Sequence, residues 1–589
     1  MLLLLMGLTL LARSPGLAAE KPGQPSRPAH EKPNVLLVIT DDQGYGDLGI
    51  HGNQQLRTPN LDRFAGQSVR FERFYVHPFC SPTRAAMLTG RYPLRTGVWG
   101  VTADREMMRA EEVTLAETLR EAGYRTGCFG KWHNGMQFPH TARGQGFEEF
   151  FGFVGGHWNR YFDATLEHNG RQVQTQGYIA DVLTDAAIDF LRRHKDEPFF
   201  CYVPYNTPHS PDQVSDSYFE RYKSMGLDDH TAAAYGMCEN IDDNFGRLVS
   251  TLDELGLSTN TIVLFLTDNG PNGLRYNAGM RGAKGSVHEG GCRVPLFVRW
   301  PGRMAPRQVD TLAAHIDLYP TLLDLCGVAR PGHSIDGVSL RPLLEGSDSA
   351  WPQRTIFTQH GSSGWDKRFP AAVRTDRYRA VRERAGWELY DMERDPGQKH
   401  DIAGEHPAQV QRLAAEYERW YEQVSAGGWQ RPLIPVGHRE QEPVEMFATQ
   451  ARFDPPIHYF ASRAGFANDW LTGWTDPAAK IQFDMEVVRP GRYAVILRYT
   501  ATQRPNAPKI RVRAGSSTLE IVVPPTGTRE IPLPNRNPAD TLYHERTWSM
   551  LEVGEVGLDR GSQTLTLEAV APADGPLLDL KSVVLRRQP

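Results

Sequence analysis

This sequence predicts an α/β fold, a mainly parallel sheet flanked by helices, followed by a small α+β subdomain and an appended β-sandwich. Three observations carry that prediction. Residues 35–39, 199–203 and 262–266 are continuous apolar runs of strand length without alternation, the pattern of strands buried on both faces. Helical patterns lie between them, at 114–122 and at 179–193, where Val182, Ala186 and Phe190 recur at helical spacing. Beyond residue 445 hydrophobicity instead alternates with period two. At 589 residues the chain is too long for one core, so several domains are expected.

Residues 1–19 are read as a signal peptide. They are apolar from Met1 to Ala12, short of the ~20 residues a spanning helix needs, and then turn to small residues around Ala18 and Ala19. No later segment is apolar for long enough to span a membrane, and export to a periplasm or beyond is expected. Residues 20–33, rich in Pro and charge, read as a tail. A catalytic α/β domain is expected over 34–345. From 346 to 429 the texture changes to an α+β subdomain. Short antiparallel strands fall at 372–382 and 387–392. A helix over 406–424 places Val410, Leu413, Tyr417, Trp420, Tyr421 and Val424 on one face, before Gly427 and Gly428. Residues 430–444 read as a linker and 445–589 as the sandwich. There Ile481, Phe483, Met485 and Val487 form one strand, and Tyr493, Val495, Leu497 and Tyr499 the next.

The formal net charge of -5 and 23% charged residues argue against a nucleic-acid partner, while leaving room for a locally basic pocket. Six cysteines, at 80, 128, 201, 238, 292 and 326, have no metal-finger spacing. Cys128, Cys201 and Cys326 sit in apolar runs as buried thiols.

The chemistry concentrates at the ends of the apolar runs. Asp41 and Asp42 follow the first; Asp268 and Asn269 follow the 262–266 run. Parallel strand ends open onto one edge, where such folds bind ligands. Oxygen side chains delivered there suit calcium, or magnesium, although an isolated Asp-Asp is an ordinary turn or helix cap. Lys131 and His133 follow a further candidate strand, His209 follows the 199–203 run, and Lys284 sits in a glycine-rich loop. Residues 80–91 read Cys-Ser-Pro-Thr-Arg-Ala-Ala-Met-Leu-Thr-Gly-Arg.

The last segment, with Gly-Lys-Trp-His at 130–133 and Asp-Asn-Gly at 268–270, resembles the signature of the formylglycine-dependent sulfatases, a branch of the alkaline-phosphatase superfamily. The resemblance runs from Asn34 to Ala403 and stops before the β-domain. It implies that a maturation enzyme oxidises Cys80 to formylglycine, whose hydrate attacks a sulfate ester. It implies further that Asp41, Asp42, Asp268 and Asn269 hold a divalent cation, most often calcium. Arg84 and Lys131 then hold the hydrate, His133 takes a proton as the covalent intermediate collapses, and His209 and Lys284 bind sulfate oxygens and assist the leaving alcohol. Cation and Lys/Arg charge would stabilise the transferring group. Thr83 stands where the family more often has Ser. His157, near the position of a further sulfate contact in some members, is read as either pocket-lining or structural.

The implied substrate is a sulfated carbohydrate. Trp470, Trp474, Tyr499, Tyr543 and Trp548 give the β-domain a weak resemblance to carbohydrate-binding modules, with core packing as the plain alternative. Arg374, Arg377, Arg379, Arg382 and Arg384 are candidates for lining a polyanion groove. Two rivals remain at this level: a phosphoester hydrolase on the same scaffold, and an inactive carbohydrate-binding protein with Cys80 unmodified.

Overall fold

A computed structural model describes residues 32–347, 351–361, 364–461, 466, 468–570 and 575–589. The expected signal peptide and nearly all of the expected tail lie outside the described residues.

Eleven strands form the principal sheet: β1 (Asn34–Thr40), β2 (Val69–Tyr75), β3 (Arg125–Lys131), β4 (Glu149–Phe153), β5 (Thr165–His168), β6 (Arg171–Gln174), β7 (Phe199–Pro204), β8 (Thr261–Thr267), β9 (Arg293–Arg299), β10 (Arg307–Val309) and β11 (Ala313–Ala314). Their order is β10-β2-β9-β8-β1-β7-β3-β4-β5-β6, with β11 beside β2. The five central strands, β8 to β4, are parallel. Antiparallel pairings flank them, β9 on one side and β5 with β6 on the other.

The missing alternation in the apolar runs now has its cause. Val35, Leu37 and Ile39 enter one core layer with Ile262, Leu264 and Leu266. Leu36 and Val38 enter the opposite layer with Val263 and Phe265. Both faces are covered, so both parities must be apolar. One cover is the helix Ile179–Arg193, whose buried face is Ile179, Leu183, Ala187 and Leu191. Val182 and Ala186, expected on that face, are only half-buried at its edge, because the neighbouring i, i+4 row points at the sheet. A 26-residue helix, Asp229–Glu254, covers the same side.

Four antiparallel strands, Ile356–Gln359, Ala371–Arg374, Tyr378–Arg382 and Glu388–Asp391, form a second sheet. The helix Pro407–Ser425 packs on it through Leu413, Tyr417, Trp420, Tyr421 and Val424, with Val410 at the margin. The arginines expected to line a groove divide. Arg374 and Arg379 are buried, 3.8 Å and 3.1 Å from Glu289, and Arg377 pairs with Asp391 at 2.7 Å. Arg374 and Arg379 face each other on neighbouring strands, and the internal carboxylate that holds both withdraws them from any surface groove.

The C-terminal part consists of two six-stranded sheets packed face to face. Ile481, Phe483, Met485 and Val487 meet Tyr493, Val495, Leu497 and Tyr499 in one core. The expected linker is partly sandwich: Ile434–Val436 is a strand running parallel to Lys480–Val487. Its three residues, Ile, Pro and Val, are all buried. Trp474 and Tyr499 also lie in the core, while Trp548 is half-buried.

Candidate active site

Strand register brings the first group of side chains together. β1 pairs with β8 so that Thr40 faces Thr267, and with β7 so that Ile39 faces Pro204. The chains leaving β1, β8 and β7 therefore emerge at one edge carrying Asp41–Asp42, Asp268–Asn269 and His209. β3 runs parallel to β7 and ends at Lys131, with His133 two residues on. The helix Cys80–Thr89 enters with Cys80 at its first position. Arg84 lies one turn later, on the same face as Cys80.

The geometry is dense. Cys80 Sγ and carboxylate oxygens of Asp41 and Asp268 all lie within 4.8 Å of one another. The Asp42 backbone N–H donates to Asp268 Oδ1 at 3.1 Å, and Asn269 Nδ2 donates to Asp42 Oδ1 at 2.8 Å. Arg84 donates to Asp268 Oδ2 at 2.8 Å and 3.1 Å, and to the Lys131 carbonyl at 3.1 Å. Lys131 Nζ donates to Asp41 at 2.5 Å, Lys284 Nζ to Asp42 at 2.7 Å, and His209 Nε2 lies 3.6 Å from Asp42. Nine of the ten residues named from the sequence thus meet in one cluster, and the tenth, His133, lies near enough to feel the charges of Lys131, Arg84 and Asp41.

Burial raises the proton affinity of carboxylates, and cations oppose it. At Asp41 the charges of Lys131, His209, Arg84 and Lys284 outweigh burial and hold the carboxyl well below its usual range. Asp268 is pushed up by burial and by the charge of Asp41. Burial lowers the proton affinity of Lys284, but the charges of Asp42 and Asp41 outweigh it and keep the ammonium protonated. His133 is held neutral by burial and Lys131. Its Nε2 is 2.8 Å from the Val101 carbonyl, which fixes the proton there and leaves the unpartnered Nδ1 as a lone pair. The backbone at Gly156 makes that arrangement possible, since a Cβ there would lie 2.5 Å from His133 Nε2.

Two buried oxygens in the cluster, Asp41 Oδ1 and Asn269 Oδ1, have no hydrogen-bond partner. Three carboxylates and an amide oxygen, two of them with an unpaired lone-pair donor, form a donor set that fits a hard divalent cation.

Three neighbours of the cluster have no catalytic role assigned from the sequence, which leaves His157 open between pocket lining and structure and gives Tyr543 as one of the β-domain aromatics. His157 stacks on His209, ring centroids 6.1 Å apart, and meets Phe466 at 5.7 Å and Tyr543 at 5.1 Å. Tyr543 Oη is 2.9 Å from Ser210 Oγ. Phe466 and Tyr543 come from the sandwich, whose loop before Ser549–Leu558 grips the His209 loop. There Gln213 Nε2 donates to Asn535 at 2.8 Å, Arg536 N–H to the Asp212 carbonyl at 2.7 Å, and Asn537 Nδ2 to Asp212 at 3.0 Å. Nothing local in residues 523–548 signals this. Only the docking of two domains does.

A central parallel sheet that delivers acids, cations and histidines around a helix-borne Cys-x-Pro-x-Arg thiol defines a hydrolase of the alkaline-phosphatase superfamily. The sulfatase family model matches residues 33–328, and the model described as N-sulphoglucosamine sulphohydrolase, C-terminal, matches 283–424. Human arylsulfatase A is 32% identical over 461 residues, 67% of this chain and 86% of the relative. Dog N-acetylgalactosamine-6-sulfatase is 34% identical over 397 residues, covering 60% and 72%. The crystal structure of Ps i-CgsB in complex with k-i-k-neocarrahexaose superposes with a TM-score of 0.64 at 30% identity, covering 68% of this chain and 95% of that one. The chain belongs to the sulfatase family, the sulfuric ester hydrolases. Both family models end before the sandwich. Among the described residues no helix is long and apolar enough to cross a membrane.

Proposed function

We propose that this protein hydrolyses sulfate esters of a sulfated carbohydrate, with residue 80 converted from Cys to formylglycine and a divalent cation, calcium before magnesium, held by Asp41, Asp42, Asp268 and Asn269. The observation that carries the reading is the triad of Cys80 Sγ, Asp41 and Asp268 within 4.8 Å, reached from three distant chain segments. The carbohydrate is supported by relatives named for N-acetylgalactosamine-6-sulfate chemistry and by the neocarrahexaose complex. Export, with residues 1–19 as the signal, is part of the proposal.

The hydrated aldehyde supplies two hydroxyls on one carbon, one to attack sulfur and one to release sulfate afterwards, and the cation supplies charge for sulfate oxygens. The remaining work falls to the chain's own side chains. Lys131 holds Asp41 and Arg84 holds Asp268, the two carboxylates beside residue 80. His133 offers Nδ1 to the hydroxyl proton, because its Nε2 proton is committed to Val101. Lys284, kept protonated, and His209 stand beside Asp42 to receive the negative charge of sulfate and of the leaving alcohol oxygen. Cys80 is 2% exposed, so the reacting end of the substrate is shielded from bulk water.

The test uses natively produced protein. Peptide mass at residue 80 reports the exchange of CH2–SH for CHO, and sulfate release from a panel of sulfated sugars reports turnover. Chelated protein and Cys80→Ala serve as blanks. An active protein carrying an unmodified thiol overturns the nucleophile. Full activity after chelation overturns the cation.

A further inference from the structure

A second concave site lies between the sandwich and the catalytic domain, on the far side of the loop that carries His157. It encloses about 630 Å³, inside the roughly 300–1,000 Å³ of ligand sites. One wall is the β4–β5–β6 end of the principal sheet with Trp158 and Arg160. The other is the sandwich, with Trp548, Arg546, Lys581 and Arg529. His157 turns towards His209 while Trp158 turns into this cleft. One short loop therefore separates the two sites.

The cleft is lined by five basic side chains, Arg160, Arg498, Arg529, Arg546 and Lys581, against four carboxylates, Asp163, Glu167, Glu445 and Glu545; among the described residues Lys581 and Arg529 are the basic ones without an ion pair. Lys581 donates to the Asn468 carbonyl and lies 5.9 Å and 5.7 Å from the ring centroids of Trp470 and Trp548. Among the described residues no carboxylate is within ion-pairing distance of it. Burial, with Arg498 and Arg546 nearby, lowers its pKa to about 7 against the opposing charges of Glu445 and Asp469. Arg546 is clamped between Trp470 and Trp548 at 4.3 Å and 4.5 Å. Its side chain is 10% exposed, its Nη2 reaches Asp579 at 2.7 Å, and its Nε has no partner. Arg498 is bound to Glu445 and Arg160 to Glu545. Arg529, exposed at the mouth, makes no side-chain bond among the described residues.

An indole face beside Lys581 and the exposed Arg529 is the chemistry that recognises an anionic sugar ring: the aromatic takes the C–H face, and Lys and Arg take sulfate or carboxylate oxygens. From this geometry we propose that the cleft is a second saccharide subsite, holding an anionic sugar unit of the same chain whose sulfate ester enters the Cys80 pocket. The proposal rests on the carbohydrate reading above. It makes the sandwich a part of substrate selection that favours chains over single sugars.

Two measurements on the full chain test it. The first is the ratio of KM for a sulfated hexasaccharide, carrageenan-type and heparin-type in parallel, to KM for a small aryl sulfate. The ratio should rise about tenfold in Lys581→Gln and in Trp548→Ala; an unchanged ratio in both overturns the proposal. The second is equilibrium binding of the labelled hexasaccharides to Cys80→Ala protein, where adding Lys581→Gln should weaken affinity about tenfold. Equal affinity with and without Lys581→Gln, or no binding of either probe, overturns it. Failure of the aryl sulfate reaction in the unaltered protein, with lysine-dependent hexasaccharide binding intact, counts against the sulfatase reading and not against the subsite. Thermal midpoints of the variants separate lost subsite contacts from lost folding.

Discussion

Replacing Lys131 by Met probes the charge balance on which the candidate site stands. Asp41, Asp42 and Asp268 are the acidic groups of the site, and Arg84, Lys131 and Lys284 are its basic ones, each within 4.0 Å of a carboxylate. Lys131 and Asp41 both have side chains fully removed from solvent. Methionine keeps the apolar stem and volume but leaves the Asp41 carboxylate without its nearest counter-charge. Breaking a buried pair by removing one partner costs about 3–5 kcal/mol. Spread over a unit spanning residues 33–424, with an unfolding entropy of about 2.1 cal/mol/K per residue, that is roughly 4–6 °C in the thermal midpoint. The penalty should be seen in chelated protein. Excess calcium should recover much of it, because a divalent ion at the Asp41, Asp42, Asp268 and Asn269 oxygens restores the missing charge. The assay is a thermal scan of both proteins with chelator and with calcium, beside sulfate release. A chelated variant as stable as the parent, or one that calcium stabilises no more than the parent, would refute the reasoning.

Three further outcomes are expected. Gly156→Ala drives a methyl into the 2.5 Å gap at His133 Nε2; displacing that imidazole should cost about 10²-fold in kcat while the circular dichroism spectrum stays that of the parent. Tyr543→Phe should lower kcat/KM by no more than about tenfold, since one hydrogen bond is worth about 1 kcal/mol. Tyr543→Ala, which removes the ring against His157, should cost more, and equal losses would place the effect in the hydroxyl alone. Acid should destabilise the fold through His77 and His315, both buried and both held down to about 3, chiefly by burial. Their folded pKa values lie below the unfolded value of about 6.5. The unfolded state therefore binds the extra protons, and stability is full above pH 6.5 and falls as pH drops towards 3. At pH 5 each costs about 2 kcal/mol. Denaturant midpoints at pH 7.5 and pH 5 check this, and His315→Leu should flatten the difference.

Much of the architecture was legible because the physical pattern was local. The three apolar runs had to be two-sided strands, since no residue in them could face water. The 407–425 helix showed its buried face because five large apolar residues, from Leu413 to Val424, fell on one stripe. Where neighbouring rows were both apolar the reading slipped. On Ile179–Arg193 the Val182 row and the Leu183 row look alike in sequence, and only the sheet beneath chose between them. Residues 430–444 look like a linker because Pro and charge dominate, yet three buried residues among them add a strand. Arg374 and Arg379 read as surface charge because their partner, Glu289, is more than 80 positions away in sequence.

The sequence alone determined which chemical groups exist and where each leaves its strand or helix. The Cys-x-Pro-x-Arg helix start, the acidic pair after β1 and the Asp-Asn after β8 are short-range patterns, set by backbone geometry within a few residues. Tertiary structure decided which of them touch. Strand order and register aligned the ends of β1, β7 and β8, so that Cys80 came to lie within 4.8 Å of Asp41 and Asp268. Docking of the sandwich decided the rest, setting Tyr543 against His157 and opening the cleft around Lys581. Such contacts join residues hundreds of positions apart, and no local preference of the chain encodes them.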